Sequence, residues 1–308
     1  MCEISRSVLE QPACPPAASL GARGALRRLG LELRGLRDAL PAGTFARYLL
    51  CCVRSAPGIY AARKLAPADP LMKGKVRVTY HGAQIAINLA EVDAFLPGDT
   101  PTFANIREMY GRDVYLRFFD LSRIPMLNVI DAGGNRGLFT IYAAKRAQKV
   151  IWVEMQPQYL GALNALISSN TPNARIVPLE GILVGRSDAL PAFWRKTMRQ
   201  ERGLADGAYT LENLMETHHL DPISFLKMDI EGAEFSVFAP PCRWIQGLQN
   251  LAMEVHRQAG DPAEIVSRLA TSGFQVMTAD AQLRQCPVER ASYIYASRTG
   301  ALSGRPLH

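Results

Sequence analysis

The sequence predicts an α/β protein: a mainly parallel sheet of seven strands with helices on both faces, preceded by an N-terminal helical extension. Three observations lead there. Short apolar runs alternate with helical patterns from about residue 127 onward, which implies crossover connections. One of those runs ends on an acid and enters a glycine-rich turn, and a second acid-tipped run follows at a fixed distance. The net charge of +7 is not spread along the chain, because residues 1 to 75 hold 12 Lys and Arg against 5 Asp and Glu, and the remainder is balanced.

The first 18 residues, with Pro12, Pro15 and Pro16, read as a tail. Leu26, Leu29, Leu33, Leu36 and Leu40 then recur at steps of three or four, with Arg27, Arg28, Arg34 and Arg37 between them, which predicts an amphipathic helix. Pro41-Ala42-Gly43 ends it, and the Thr44 hydroxyl is placed to cap a second helix running to about Val53. A boundary near Gly74 is expected from the change in charge, giving an extension over 1 to 74 and a main domain over 75 to 308. A hairpin follows, from Val76-Arg77-Val78-Thr79-Tyr80 across His81-Gly82 to Ile85-Ala86-Ile87. Strands are predicted near 127 to 131, 150 to 154, 175 to 179, 224 to 229, 249 to 255, 273 to 279 and 291 to 297. Helices are predicted near 137 to 147, 157 to 169, 209 to 217, 232 to 239 and 261 to 271. The connection between Gly185 and Tyr209 is long for a linker and carries Phe193, Trp194, Arg195, Lys196, Arg199 and Arg202, so a functional flap or a small added hairpin that bears on acceptor specificity is expected there, with Trp194 either packed or stacked on a sugar face.

In Val129-Ile130-Asp131-Ala132-Gly133-Gly134-Asn135-Arg136-Gly137 an apolar strand meets a glycine turn that suits a nucleotide cofactor. A carboxylate at the strand tip would repel a dinucleotide pyrophosphate, and Ala132 stands where the dinucleotide fingerprint needs glycine. S-adenosylmethionine, which brings an ammonium group, fits better. Glu154, at the end of Ile151-Trp152-Val153-Glu154, lies about 20 residues downstream, where an acid suits ribose hydroxyls.

With Asp131 to Gly137, the segment Phe225-Leu226-Lys227-Met228-Asp229-Ile230-Glu231-Gly232-Ala233-Glu234 resembles the FkbM-type methyltransferases. Thr210-Leu211-Glu212-Asn213-Leu214 and Leu251-Ala252-Met253-Glu254-Val255-His256 are similar to further segments of that family. Met155-Gln156-Pro157 and Leu179-Glu180-Gly181 depart from its usual pattern. The resemblance, over roughly Lys75 to Ser297, implies a Rossmann-like class I fold and an S-adenosylmethionine-dependent O-methyltransferase. Its acceptor would be a hydroxyl of a sugar, a glycan or glycolipid, or a polyketide-like natural product. Asp131, Gly133, Gly134, Asn135, Gly137, Glu154, Gly181 and Asp229 are then the expected cofactor contacts.

A hydroxyl acceptor needs somewhere to leave its proton, and His256 is the only histidine just past a predicted central strand, so it is the expected general base. Asp229 and Glu231 are expected to orient the acceptor hydroxyl or the methionine part of the cofactor, and Glu254 the imidazole or the acceptor, while Glu234 is read as stabilising the start of the next helix. No metal is assigned. The variant in which Asp229, Glu254 and His256 hold magnesium or manganese stays open.

At 308 residues and 48% hydrophobic the chain can bury a full core, and no apolar run is long enough to span a bilayer. The six cysteines lack zinc spacing, and a cytoplasmic protein with reduced thiols is expected. For the arginine-rich helix, packing on the domain or on a twin subunit competes with lying on an anionic membrane surface. Nucleic acid is not expected, since no interleaved aromatics accompany the basic residues. The alternative to an enzyme is a non-catalytic cofactor-binding module tethered to a membrane or assembly by those helices.

Overall fold

The computed structural model describes residues 22 to 185 and 207 to 303. A two-stranded antiparallel hairpin, β1 (Lys75–Tyr80) with β2 (Ala83–Asn88), stands apart from the main sheet. The main sheet contains β3 (Asn128–Ala132), β4 (Lys149–Glu154), β5 (Arg175–Leu183), β6 (Gly207–Tyr209), β7 (Phe225–Met228), β8 (Asn250–Glu254), β9 (Gln275–Ala279) and β10 (Tyr293–Ser297). Their spatial order is β6-β5-β4-β3-β7-β8-β10-β9, and only β10 runs antiparallel to its neighbours.

The expected seven strands are therefore all present, with an eighth added. β6 pairs with the far end of a β5 that continues to Leu183, four residues past the predicted stop. Three residues are too few to show a strand period in sequence, which is why β6 escapes the pattern.

The two sheet faces bury separate cores, as period-two alternation requires. Val129, Trp152, Phe225, Ala252 and Tyr295 face one side; Ile130, Ile151, Leu226, Leu251 and Ile294 face the other. The helices Leu138–Ala144, Gln158–Ser168, Leu211–His218 and Pro262–Thr271 connect the strands near their predicted positions. Thr210 caps the third through a bond from Asn213 N, and Asp261 caps the fourth. The helix predicted over 232 to 239 shrinks to the single turn Glu234–Val237.

The N-terminal helices are Ala22–Ala39, Ala42–Arg54 and Ala56–Ala62. The second starts at Ala42, two residues before Thr44, and Pro41, whose fixed φ suits a helix entry, stands at its N-cap, so Thr44 is not its cap. Leu36 and Leu40 are buried and Leu29 and Leu33 partly so, as the leucine stripe predicts; the Leu26 side chain lies outside the described residues. Leu36, Tyr48, Leu65 and Met72 share one core with Phe139, Trp152 and Phe225, so apolar packing is continuous across Gly74. Two contacts fix the first helix on the domain. A Cβ at Gly35 would sit 1.8 Å from the Gly111 carbonyl oxygen, so the backbones meet directly. Arg107 bonds Glu32 at 2.8 Å and Asp69 at 3.0 Å, joining that helix to the turn Ala66–Leu71.

Candidate active site

The carboxyl ends of β3, β4, β7 and β8 lie side by side, so Asp131, Glu154, Asp229 and Glu254 converge on one rim, where open parallel sheets bind ligands. An open cleft lies above it. Gly133, Gly134, Asn135, Glu154, Gly181, Asp229 and Glu231 line this cleft, whereas Asp131, Gly137, Glu254 and His256 stand behind or beside it.

Asp131 is the main correction to the sequence reading. Its side chain is fully buried on the Trp152 face of the sheet, where Thr140 Oγ1 donates to one oxygen at 2.7 Å and Lys227 Nζ pairs with the other at 3.2 Å. Asp131 and Lys227 are register neighbours on β3 and β7. The acid therefore neutralises a buried lysine instead of meeting an ammonium in the cleft. Lys227 also donates to the Gly133 carbonyl at 2.6 Å and lies 5.2 Å from the Tyr115 ring centroid. Burial pulls its ammonium down, but Asp131 and then Asp229 outweigh that and hold its pKa above the usual lysine value.

The glycines answer first to the protein itself. Gly133 has φ +69°, and a Cβ there would lie 1.6 Å from the Asp229 carbonyl oxygen. At Gly134 a Cβ would strike the Trp152 ring, at Gly137 Leu163, and at Gly181 the Gly207 carbonyl. Glu154, tucked under the turn, accepts backbone bonds from Asn135 N and Gln156 N, both at 2.9 Å. Burial raises its pKa, and those amides oppose the rise. Each carboxylate oxygen keeps a lone pair for a hydroxyl of a bound ligand.

A second group of side chains gathers at the tips of β7 and β8. His256 Nδ1 lies 2.8 Å from Oε1 of the fully buried Glu234, while Nε2 faces Glu231 Oε2 at 3.4 Å and Asp229 Oδ1 at 4.0 Å. The imidazole is thus oriented by Glu234, not by Glu254. Burial alone would lower the His256 pKa, but the bond to Glu234 and the charges of Glu234, Asp229 and Glu231 raise it to about 9. Glu254 is pushed up to about 8, by burial first and then by Asp229 and Glu108, so it holds its proton at neutral pH. Tyr115 donates to Asp229 Oδ2 at 2.9 Å and is itself kept protonated by burial beside that acid. Donor atoms of Asp229, Glu231 and His256 lie within 4.8 Å of one another, and Glu254 is not in that group. The predicted flap, with Trp194 and its arginines, lies outside the described residues.

Sequence reasoning assigned no role to Lys227 and Tyr115, and gave Glu234 a helix end. Lys227 and Glu234 lie within Phe225 to Glu234, but only strand register sets Lys227 against Asp131, and only the fold brings Glu234 to a histidine 22 residues away. Nothing local marks Tyr115, which arrives from 114 residues before Asp229.

Residues 131 to 276, which hold both groups of side chains, match the Methyltransferase FkbM domain. No curated protein matches the chain. Similar solved structures include an rRNA methylase from Streptococcus thermophilus, at 15% identity, TM-score 0.35, and 60% of this chain against 91% of that one. A precorrin-6y C5,15-methyltransferase from Geobacter metallireducens aligns at 12% identity, TM-score 0.31, and 57% against 82%. A Streptococcus mutans structure in complex with SAH aligns at 14% identity, TM-score 0.36, and 60% against 94%. Within the matched stretch the glycine turn and Glu154 line one part of the cleft, and Asp229 and Glu231, beside His256, line another.

Proposed function

We propose that this methyltransferase is an O-methyltransferase that uses S-adenosylmethionine and acts on a hydroxyl of a sugar, a glycan or glycolipid, or a polyketide-like product. The observation that carries the reading is His256, whose Nδ1 is tied to a buried carboxylate while Nε2 is presented at the cleft margin beside Asp229 and Glu231. A neutral amine can attack before it sheds its proton, whereas a hydroxyl must lose its proton as it attacks.

The residues suit the donor. Glu154 offers lone pairs to vicinal hydroxyls, the backbone of Gly133, Gly134 and Asn135 forms the adjoining wall, and the carboxylates of Asp229 and Glu231 favour a cation. When bound, S-adenosylmethionine supplies an electrophilic methyl on a sulfonium. His256 accepts the acceptor's proton at Nε2, and Glu234 stabilises the imidazolium so formed. Tyr115 holds one oxygen of Asp229, leaving the other toward His256. A cation in the cleft would offset the charges of Asp229 and Glu231 and lower the histidine pKa, so that more of the imidazole is free to act as base in the loaded site.

Calorimetry should give micromolar affinity for S-adenosylmethionine and none for NAD. Incubation of the protein with isotopically labelled donor and extracted glycolipids or small metabolites should then place the label on an ether oxygen by mass spectrometry. Label found only on nitrogen, or binding of NAD alone, would overturn the proposal.

A further inference from the structure

The helix Ala42–Arg54 is apolar on two sides. One side, with Tyr48 and Cys51, belongs to the core. On the other, Ala46, Leu49, Leu50 and Val53 fall at i, i+3, i+4 and i+7 and face outward, with Leu50 61% and Val53 71% exposed. Tyr60, on the next helix, is 87% exposed. A solvated surface helix has no use for such a stripe.

The charge around it has one sign. From residue 39 to residue 68 the chain contains no Asp or Glu, yet it carries Arg47, Arg54, Arg63 and Lys64, all exposed. Of the acids that flank this stretch, Glu32 and Asp69 are buried against Arg107, and the exposed Asp38 is matched by Arg37. Leucine and valine between arginines, with an exposed tyrosine and no carboxylate, is the composition of an interfacial helix.

We propose that this face docks on an anionic lipid bilayer, its apolar stripe entering the acyl boundary and its basic residues meeting the headgroups. A second copy of the chain fits less well, because a two-fold contact through the stripe would bring Arg47 and Arg54 against the same residues of the partner with no acid to offset them. Each cation gains from an anionic surface instead. The first helix is seated through Gly35 on the turn Arg107–Arg112, and Asn105, Glu108 and Met109 in and beside that turn line the cleft. A docked face therefore fixes the orientation of the cleft to the membrane.

The full-length protein is sedimented with vesicles of phosphatidylcholine alone or with phosphatidylglycerol added, a readout that needs neither methyl donor nor acceptor. The wild type should pellet with the anionic vesicles only, and less so at high salt. Leu50→Glu with Val53→Glu should stay in the supernatant while keeping the wild-type melting temperature, since both side chains are exposed. Arg47→Gln and Arg54→Gln should each weaken binding about fivefold. The proposal is overturned if the wild type ignores anionic vesicles or the double glutamate variant still binds them. A lipid-free dimer that the glutamates split would assign the face to a second copy.

Discussion

Replacing Glu234 by Gln tests the geometry around His256 most directly, because it removes the charge that faces Nδ1 and keeps the size of the side chain. In the wild type the imidazole pKa rises from 6.5 to about 9. That difference favours the imidazolium by about 3 kcal/mol, the scale of a buried charge-assisted hydrogen bond plus the field of two nearby acids. With a pKa near 9, only about 1% of the imidazole is neutral near pH 7, so the fraction able to act as base grows tenfold per pH unit up to the limb. The Glu234→Gln variant retains only the smaller pull of Asp229 and Glu231 against burial, and its pKa should fall back toward 6.5.

Two assays read this. Imidazole resonances followed by NMR through the pH range need no acceptor, and among five histidines the one from His256 is assigned by its loss in His256→Ala. Once an acceptor is known, kcat/KM of the wild type should rise with unit slope to a plateau above pH 9. The limb should move to lower pH in Glu234→Gln, and it should vanish in His256→Ala with a loss of roughly 10² to 10⁴ in turnover. A wild-type limb near 6.5 that Glu234→Gln leaves in place, or a His256→Ala enzyme of normal turnover, would refute the assignment.

The remaining tests concern stability and assembly. Both His256 and Glu254 keep protons in the fold that the unfolded chain releases, at 6.5 and 4.5, so their contributions are full below those values. Unfolding free energy should therefore decline as pH rises from 4.5 to about 9, and His256→Ala should flatten the upper part of that decline. Gly133→Ala should abolish donor binding in calorimetry, since the new Cβ would meet the Asp229 carbonyl at 1.6 Å in a backbone of positive φ; retained affinity would show that the turn opens without cost. Lys227→Met should cost about 3 to 5 kcal/mol in denaturant unfolding by leaving Asp131 buried and unpaired, and adding Asp131→Asn should recover part of it. Removing residues 1 to 74 should yield an aggregating chain, because it deletes Leu36, Tyr48 and Met72 from the core that holds Phe139; a monomeric, cofactor-binding truncation would show that the sheet domain stands alone.

Much of the sheet was legible because buried parallel strands are short apolar runs between helices, and each predicted run from 127 to 297 became a strand. What stayed hidden was set by contacts between distant segments. The segment from Leu89 to Arg112 has no long apolar period, yet it folds into short helical turns that supply Asn105, Glu108 and Met109 to the cleft wall. The charge change at Gly74 was real in composition, but composition does not report that Leu36 and Trp152 share a core. For the glycines, the sequence showed where backbone freedom was needed but not what demanded it: the Asp229 carbonyl, the Trp152 ring and Leu163 come from other elements.

The same distinction bears on the chemistry. A carboxylate after an apolar strand, followed by glycines, reads as an anion aimed at a cation. Lys227 on the neighbouring strand cancels Asp131 inside the core and in doing so ties the Gly133 carbonyl in place. The negative field of the cleft must then come from the other strand tips, where Asp229, Glu231 and Glu234 face a single histidine and Glu254 escapes adding to them by holding its proton. One acid of the rim therefore builds the turn, and a different group of acids sets the charge that a cationic donor and the proposed base, His256, would share. Substituting Asp131 should disturb the glycine turn first, whereas substituting Glu234 should move the proton first.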